Sequence, residues 1–199
     1  MIPKRYTTTV IKNKKLQEDT FLLSLKLPEK LDFKAGQFVL VYNKINEKEI
    51  NRAFSISSKP SQSEVIELLI KKYENGTLSP SLDKLKEGNT LDIRGPFGLF
   101  LVKDLEKEVI FIAAGTGIAP LRSMILDLLE KNTNKKITLI SGFRNENSIF
   151  FKEEFENLHK EHKNFNFITS LSKPTNNWKN LNGRITEHLQ NLVKSPDNK

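Results

Sequence analysis

The stretch Glu108–Arg122, EVIFIAAGTGIAPLR, decides how the rest of the chain is interpreted. It begins with the short apolar run Val109–Ala113, which is typical of a strand buried on both faces of a parallel sheet. A turn with Gly115 and Gly117 follows, and backbone N–H groups there can approach a ligand closely because no Cβ intervenes. Pro120 then suits the first turn of a helix. The stretch predicts a strand, a glycine turn and a helix.

The helix after this turn has one apolar face, formed by residues that recur with helical spacing: Leu121, Met124, Ile125 and Leu128. Unpaired N–H groups and the helix dipole converge on such a turn, so the stretch predicts a phosphate or dinucleotide site. A tight connection that binds nothing is the alternative, because short glycine motifs also occur in plain turns. The spacing G-x-G-x-x-P, with no carboxylate ending the next strand, departs from the NAD-binding fingerprint.

Composition narrows the function classes. The chain has 199 residues and no cysteine, which excludes disulfides, thiolate-bound metals and a cysteine nucleophile. No apolar run approaches ~20 residues and no signal-peptide core begins the chain, so we expect a soluble, cytoplasmic protein. His159 and His162 lack a third ligand, so we expect no metal.

The net charge of +8 is spread over mixed Lys/Glu segments. We therefore expect a monomer without a nucleic-acid or membrane partner, and we keep open an acidic protein partner facing a basic rim.

The two parts of the chain have different patterns. Short apolar stretches separated by turns predict strands over Tyr6–Leu16, Thr20–Leu27, Ala35–Val41, Asn51–Ile56, Val65–Tyr73 and Thr90–Arg94, with one short helix over 79–86. After residue 102, strands and helices alternate: Val109–Ala113, 120–131, Ile137–Gly142, 150–161, Phe165–Leu171 and 185–194. The patterns predict a small antiparallel β-barrel over 1–102 and an α/β domain with a parallel sheet over 103–199.

Four motifs carry a resemblance to a known family: Arg52–Ser55 (RAFS), Gly76–Ser79 (GTLS), Gly95–Gly98 (GPFG) and Gly115–Pro120 (GTGIAP). In this order and spacing they resemble the ferredoxin–NADP reductase superfamily over nearly the whole chain. The resemblance implies a flavin-binding antiparallel barrel followed by a domain that binds NAD(P)H. Family members continue into a final strand, a Cys-Gly-Pro motif and a helix, which this sequence, written to Lys199, lacks.

The resemblance also implies site residues. Those for the flavin are Arg52, Phe54, Ser55, Gly76, Thr77, Leu78 and Ser79, and those for the dinucleotide are Gly115, Thr116, Gly117, Pro120, Arg144, Ser172, Lys173 and Arg184. Ser55 and Thr116 are the two assigned as catalytic. The alternatives stay open: Arg52 as a surface charge, Phe54 as a core aromatic, and Gly76–Ser79 as a hairpin turn with Ser79 capping the next helix.

We expect an FAD-dependent enzyme that transfers a hydride from NAD(P)H to flavin and passes electrons to a protein such as ferredoxin or flavodoxin, or the reverse. FMN in place of FAD is left open. The cations Arg144, Lys173 and Arg184 favour NADP(H), whereas Trp178, which also occurs in NADH-using relatives, favours NAD(H). Two alternatives remain: a flavin-bearing electron-transfer subunit of a larger complex, and a non-catalytic nucleotide-binding module.

Overall fold

Residues 2–103 and 107–192 are described by a computed structural model, and they form two compact units. The first unit comprises Met1–Lys103 and Ala119–Asn132, and the second comprises Asp104–Ile118 and Thr133–Lys199. Each unit is built around its own sheet.

The first unit contains six strands, β1 (Lys4–Gln17), β2 (Thr20–Lys26), β3 (Phe38–Ile45), β4 (Lys48–Ser55), β5 (Val65–Lys71) and β6 (Thr90–Phe97). They are ordered β4-β3-β6-β1-β2-β5, and every neighbouring pair is antiparallel. The sheet curls so that Ile56, the residue after β4, bridges Leu68 of β5. This arrangement confirms the predicted antiparallel barrel.

Alternation of side chains places the core inside the curled sheet. In β1, for example, Tyr6, Thr8 and Val10 are buried while Thr7 and Thr9 are exposed. Buried aliphatic residues of the other strands meet them, and fully buried side chains of this kind stabilise the fold by about 1.5–3 kcal/mol each. The residues of this hydrophobic core with no exposed surface are Val10, Leu23, Leu25, Val39, Val41, Ile56, Ile66, Leu68, Ile70, Leu82 and Ile93.

The short helix α1 spans Ser79–Asp83, three residues less than predicted. Asn13 of β1 accounts for its end, because its Nδ2 donates to the carbonyl oxygens of Leu82, Asp83 and Leu85 at 3.1, 3.2 and 2.9 Å. Carbonyl groups at and after a helix C-terminus need partners outside the helix, and the Asn13 amide provides them here.

Helix α2 spans Ile118–Glu130. Its predicted apolar face is buried: Leu121, Met124, Ile125 and Leu128 are at most 4% exposed. Residues Ala119–Asn132 belong to the compact unit that contains the barrel.

The second unit contains the strands β7 (Val109–Ala114), β8 (Ile137–Phe143), β9 (Phe165–Leu171) and β10 (Leu181–Asn182), and the helices α3 (Lys152–Glu161) and α4 (Ile185–Leu192). The strands are ordered β10-β9-β8-β7 and every pair is parallel, which confirms the predicted sheet. None of the helices in the described residues has the length and apolarity needed to cross a membrane.

The prediction that Val109–Ala113 is buried on both faces is wrong. Among the residues that the structure describes, β7 lies at the edge of its sheet and pairs only with β8. Phe111 and Ala113 are buried, but Ile110 and Ile112 on the other face are 41% and 44% exposed. The apolar run therefore reflects one covered face and one exposed face.

Candidate functional site

The motif Arg52–Ser55 forms the last four residues of β4. Arg52 and Phe54 lie on the same face because side chains alternate along a strand. Arg52 is exposed, and its Nη1 donates to the carbonyl oxygen of Asn51 at 2.8 Å. Phe54 is half-buried and packs against the barrel core, a position that also suits the alternative role of a core aromatic. An exposed guanidinium beside a partly exposed ring fits FAD, which presents a diphosphate and a flat aromatic system.

The motif Gly76–Ser79 lies between β5 and α1 and forms a closed turn. Gly76 N donates to Tyr73 O at 2.8 Å, and a Cβ added at Gly76 would lie 2.9 Å from that oxygen. Ser79 is the first residue of α1, and its Oγ accepts a hydrogen bond from Tyr73 N at 3.3 Å. The hydroxyl thus holds the turn and does not cap the helix. Leu78 is buried, which leaves Thr77 as the exposed residue of the turn.

The motif Gly95–Gly98 has a packing role in the barrel. A Cβ on Gly95 would lie 2.8 Å from Val39 Cγ1, and one on Gly98 would lie 3.0 Å from Phe38 Cδ1. Phe97 stacks on Phe38 with ring centroids 5.7 Å apart. The close approach of β6 to β3 therefore explains both glycines without a ligand.

The candidate dinucleotide residues gather at one edge of the second sheet. The register aligns Ala114, Gly142 and Ser170 across β7, β8 and β9, so the carboxyl ends of these parallel strands lie side by side. Gly115–Gly117 follows β7, Arg144 follows β8, Ser172 and Lys173 follow β9, and Arg184 follows β10. Ligands of open α/β sheets bind outside the carboxyl ends of the strands.

The turn Gly115–Gly117 is a single 3₁₀ turn, and Ile118 N donates to Gly115 O at its end. Gly115 has φ +53°, a backbone conformation that favours glycine. Gly117 lacks such a φ, and a Cβ added there would meet no atom of the described residues within 4 Å, apart from its two chain neighbours. Neither backbone conformation nor crowding inside the protein explains Gly117. Thr116 is half-buried between them, and Pro120 lies in the first turn of α2.

The loops after β8 and β9 are joined by their backbones. Ser172 N donates to Phe143 O at 3.0 Å, and Lys173 N donates to Arg144 O at 2.7 Å. The side chains of Arg144, Ser172 and Lys173 are exposed, as is that of Arg184. Three cations thus extend from separate loops at the carboxyl edge of the sheet, which suits a phosphate group.

Glu146 reinforces the same pair of loops. Its Oε1 accepts hydrogen bonds from Thr175 N at 2.8 Å and Thr175 Oγ1 at 2.6 Å. The hydroxyl of Thr175 is the largest cause that lowers the pKa of Glu146 below its usual value. The carboxylate is therefore engaged in closing the loops.

Two polar residues of α2 were missed as supports for the candidate flavin motif. Arg122 and Ser123 donate to Ser57 O and Ser58 O in the segment that follows the Arg52–Ser55 motif, and Arg122 also donates to Glu67 of β5. An arginine and a serine beside the apolar face of a helix are the signal that could have indicated partners elsewhere in the fold.

Comparison with known proteins assigns both units to families. Residues 7–101 match the oxidoreductase FAD-binding domain, and residues 111–199 match the oxidoreductase NAD-binding domain. The chain belongs to the ferredoxin–NADP reductase superfamily. The two matched domains are an FAD-binding and an NAD-binding domain, in agreement with the cofactors that the motifs predict.

Curated relatives within the superfamily are similar over most of this chain. The chain is 38% identical over 194 residues to the phenol hydroxylase P5 protein of Acinetobacter pittii (strain PHEA-2), covering 96% of this chain and 54% of that protein. It is 34% identical over 165 residues to one subunit of the Na(+)-translocating NADH-quinone reductase of Pseudoalteromonas haloplanktis, covering 76% and 54%. The chain thus spans about half the length of the curated relatives it matches.

Solved structures share the superfamily fold. The cytochrome P450 reductase GcoB of Amycolatopsis superposes with a TM-score of 0.86 at 24% identity, over 96% of this chain and 58% of that chain. A ferredoxin NADP+ reductase from Neisseria gonorrhoeae, solved with bound FAD and NADP, superposes with a TM-score of 0.82 at 22% identity, over 96% and 77%.

Proposed function

We propose that this chain is a flavin-dependent oxidoreductase that transfers a hydride from a nicotinamide dinucleotide to FAD and passes electrons to a protein acceptor such as a ferredoxin or flavodoxin, or runs in reverse. The flavin, when bound, supplies the step between two-electron and one-electron chemistry. Residues 1–102 are assigned to the flavin and residues 103–199 to the dinucleotide, and the matches to the two families support this division.

The observation that carries the proposal is Gly117. A glycine that neither its backbone conformation nor crowding by residues beyond its chain neighbours requires is explained if a ligand needs the space that a Cβ would take. It lies at the carboxyl edge of a parallel sheet, where open α/β folds bind nucleotides. The pyrophosphate of the dinucleotide is the ligand group that such a glycine turn suits.

On the flavin side, Arg52 would bind the diphosphate and Phe54 would lie against the isoalloxazine ring. Ser55 would donate a hydrogen bond near the reacting edge of the ring, and Thr116 is assigned to the dinucleotide. The backbone of the turn Gly76–Ser79 would contact phosphate, while the Ser79 hydroxyl keeps the turn closed. These residues bind and orient the two reactants, which is the main task of a protein that hosts a cofactor reaction.

The dinucleotide is proposed to be NADPH in preference to NADH. A 2′-phosphate that leaves water needs charged partners, and Arg144, Lys173 and Arg184 are exposed at the edge of the sheet where it would bind. Similarity to a protein named for NADH favours the opposite choice. Trp178, whose presence also favours NADH, donates its indole N–H to Leu181 O at 3.0 Å.

A second candidate function is a flavin-bearing component of a larger electron-transfer complex, favoured by the similarity to one subunit of the NADH-quinone reductase. Two further parts of the proposal rest on the sequence: an acidic acceptor protein, supported by the net charge of +8, and a monomer acting in the cytoplasm.

Purification and turnover separate the candidates. A yellow protein that releases FAD supports both flavin functions, and a colourless protein that takes up no FAD or FMN rejects them in favour of a nucleotide-binding module. Steady oxidation of NADPH or NADH with an artificial dye acceptor supports the oxidoreductase. Flavin without dye-linked turnover supports the component of a larger complex.

A further inference from the structure

The barrel closes at a seam that directly follows the candidate flavin motif. We define this seam as Ile56–Ser58 together with Glu67 and Leu68 of β5. Ile56 bridges Leu68, and Ser57 N donates to Glu67 O at 2.8 Å. Glu67 N in turn donates to Ser58 Oγ at 3.1 Å. The backbone that carries Phe54 and Ser55 is therefore held in place by the residues immediately after it.

Arg122 of α2 contacts both sides of this seam. Its Nη1 donates to Ser57 O at 3.0 Å and to the Glu67 carboxylate at 2.7 Å. The Arg122 side chain is 11% exposed and that of Glu67 is 24% exposed, so the pair is largely shielded from water. A single guanidinium nitrogen thus links the backbone after β4 to a side chain of β5.

Ser123 adds a second link from the same helix. Its Oγ donates to Ser58 O at 2.6 Å, and Ser123 and Ser58 are 0% and 1% exposed. Two consecutive residues of α2 therefore bind two consecutive carbonyl groups of the seam. Such pairing fixes the backbone in both position and orientation.

Stability alone does not explain a shielded arginine at this position. Replacing a buried ion pair by apolar residues of similar size is often neutral or stabilising, because removing two charges from water is costly. A planar guanidinium that contacts a carbonyl and a carboxylate instead gives geometric precision. Precision matters most where a neighbouring element has to hold a ligand, since supporting residues must fix a site to within about 0.5 Å.

We propose that Arg122 is a positioning residue for the flavin. It fixes Ser57 against Glu67, and thereby fixes the end of β4 from which Phe54 and Ser55 would contact the isoalloxazine ring. This inference rests on the proposed flavin site at β4. Arg122 acts through the seam and is assigned no contact with the flavin.

The test compares Arg122→Met and Arg122→Lys with Glu130→Gln as the matched control. Glu130 also joins α2 to the segment after β4, by accepting a hydrogen bond from Lys59 Nζ at 2.5 Å, and Lys59 lies outside the seam. Each purified apoprotein is titrated with FAD, and the dissociation constant, the visible absorption spectrum and the unfolding midpoint are measured.

The inference predicts that Arg122→Met weakens FAD binding by roughly tenfold or more and shifts the flavin spectrum, because small displacements of a supporting element have effects of this size. Arg122→Lys should be intermediate, since an ammonium keeps the charge without the planar fork. Glu130→Gln should keep the wild-type spectrum and affinity.

A folded Arg122→Met protein with wild-type affinity and spectrum overturns the inference, even if its unfolding midpoint is lower, and leaves the flavin function intact. A wild-type protein that binds no flavin overturns both. If Arg122→Met does not fold, Glu67→Gln decides, because it weakens the same link more mildly: a smaller spectral shift in the same direction supports the inference, and an unchanged spectrum and affinity overturn it.

Discussion

Individual glycines in this chain serve different purposes, and the structure distinguishes them. Gly76, Gly95 and Gly98 each have one neighbouring atom that an added Cβ would approach to 3.0 Å or less. Gly117 has no such neighbour. The sequence motifs contain all of these glycines, but only local distances show which of them packing requires. The residue types of a motif do not show whether neighbouring atoms leave room for a side chain.

Gly117→Val is expected to raise the KM for the dinucleotide while leaving flavin content and the unfolding midpoint close to wild type. The added branched side chain meets no protein atom through its Cβ, so the fold should tolerate it, whereas a pyrophosphate near the backbone would be displaced. Steady-state kinetics and thermal unfolding measure the two effects. An unchanged KM in the folded variant would show that the turn only connects β7 to α2 and binds no dinucleotide.

Arg52→Ala is expected to bind FAD more weakly by roughly ten- to a hundredfold, because losing a charge-assisted contact costs about 1.5–3 kcal/mol. Lys48→Ala is the matched control, since Lys48 is an exposed cation on the same strand and face. Fluorescence titration of the apoproteins with FAD gives both constants. Equal affinity in Arg52→Ala and the control would show that Arg52 is a surface charge.

At the scale of elements, the order of strands and helices follows from periodicity, while several boundaries do not. β9 was predicted at its observed bounds, Phe165–Leu171. The hairpin between β3 and β4 was missed because Asn46 and Glu47 have φ values of 49° and 63°. Such turns usually contain glycine, and glutamate gives no signal for them. The two-residue strand β10 is too short to show a period.

An ion-pair network on the barrel predicts a pH dependence of stability. The hydrogen bond from Arg5 is the largest cause that lowers the pKa of Glu49, and Arg5 also binds Asp92, which joins β1, β4 and β6. A depressed carboxyl pKa stabilises the fold fully above the ordinary value of 4.5, and the contribution is lost as the pH falls through the lower folded value.

Glu49→Gln should therefore unfold at a lower temperature than wild type at neutral pH, with the difference shrinking as the pH falls below that range. Thermal unfolding across acidic pH measures it, and Glu47→Gln on the neighbouring turn serves as control. A difference in unfolding temperature between Glu49→Gln and wild type that stays the same in acid would contradict the electrostatic explanation.

The loops after β8 and β9 carry the predicted cofactor preference. In the double variant Arg144→Ala/Lys173→Ala, kcat/KM for NADPH should fall by at least about tenfold, and kcat/KM for NADH should change little. The reason is that only NADPH has a 2′-phosphate to pair with these cations. Lys179→Ala, another exposed cation of the second unit, is the control. Equal losses for both dinucleotides, or a wild type that prefers NADH, would contradict the assignment.

At the scale of the whole molecule, sequence motifs predicted both domains and both cofactors but did not predict the association of α2. Alternating strands and helices assign this helix to the second part of the chain, whereas Ala119–Asn132 belongs to the barrel's compact unit. The bonds responsible, from Arg122, Ser123 and Glu130, reach residues more than fifty positions away. A local periodic pattern contains no information about contacts between residues so far apart in the sequence.

The central claim is that this chain transfers a hydride between a nicotinamide dinucleotide and a flavin. Anaerobic mixing of the FAD-loaded protein with one equivalent of NADPH or NADH, followed by visible absorption, tests it most directly. The account predicts loss of the flavin absorption with at least one dinucleotide, faster with NADPH, and slowed in Gly117→Val at limiting dinucleotide. A flavin absorption that neither dinucleotide changes would contradict it.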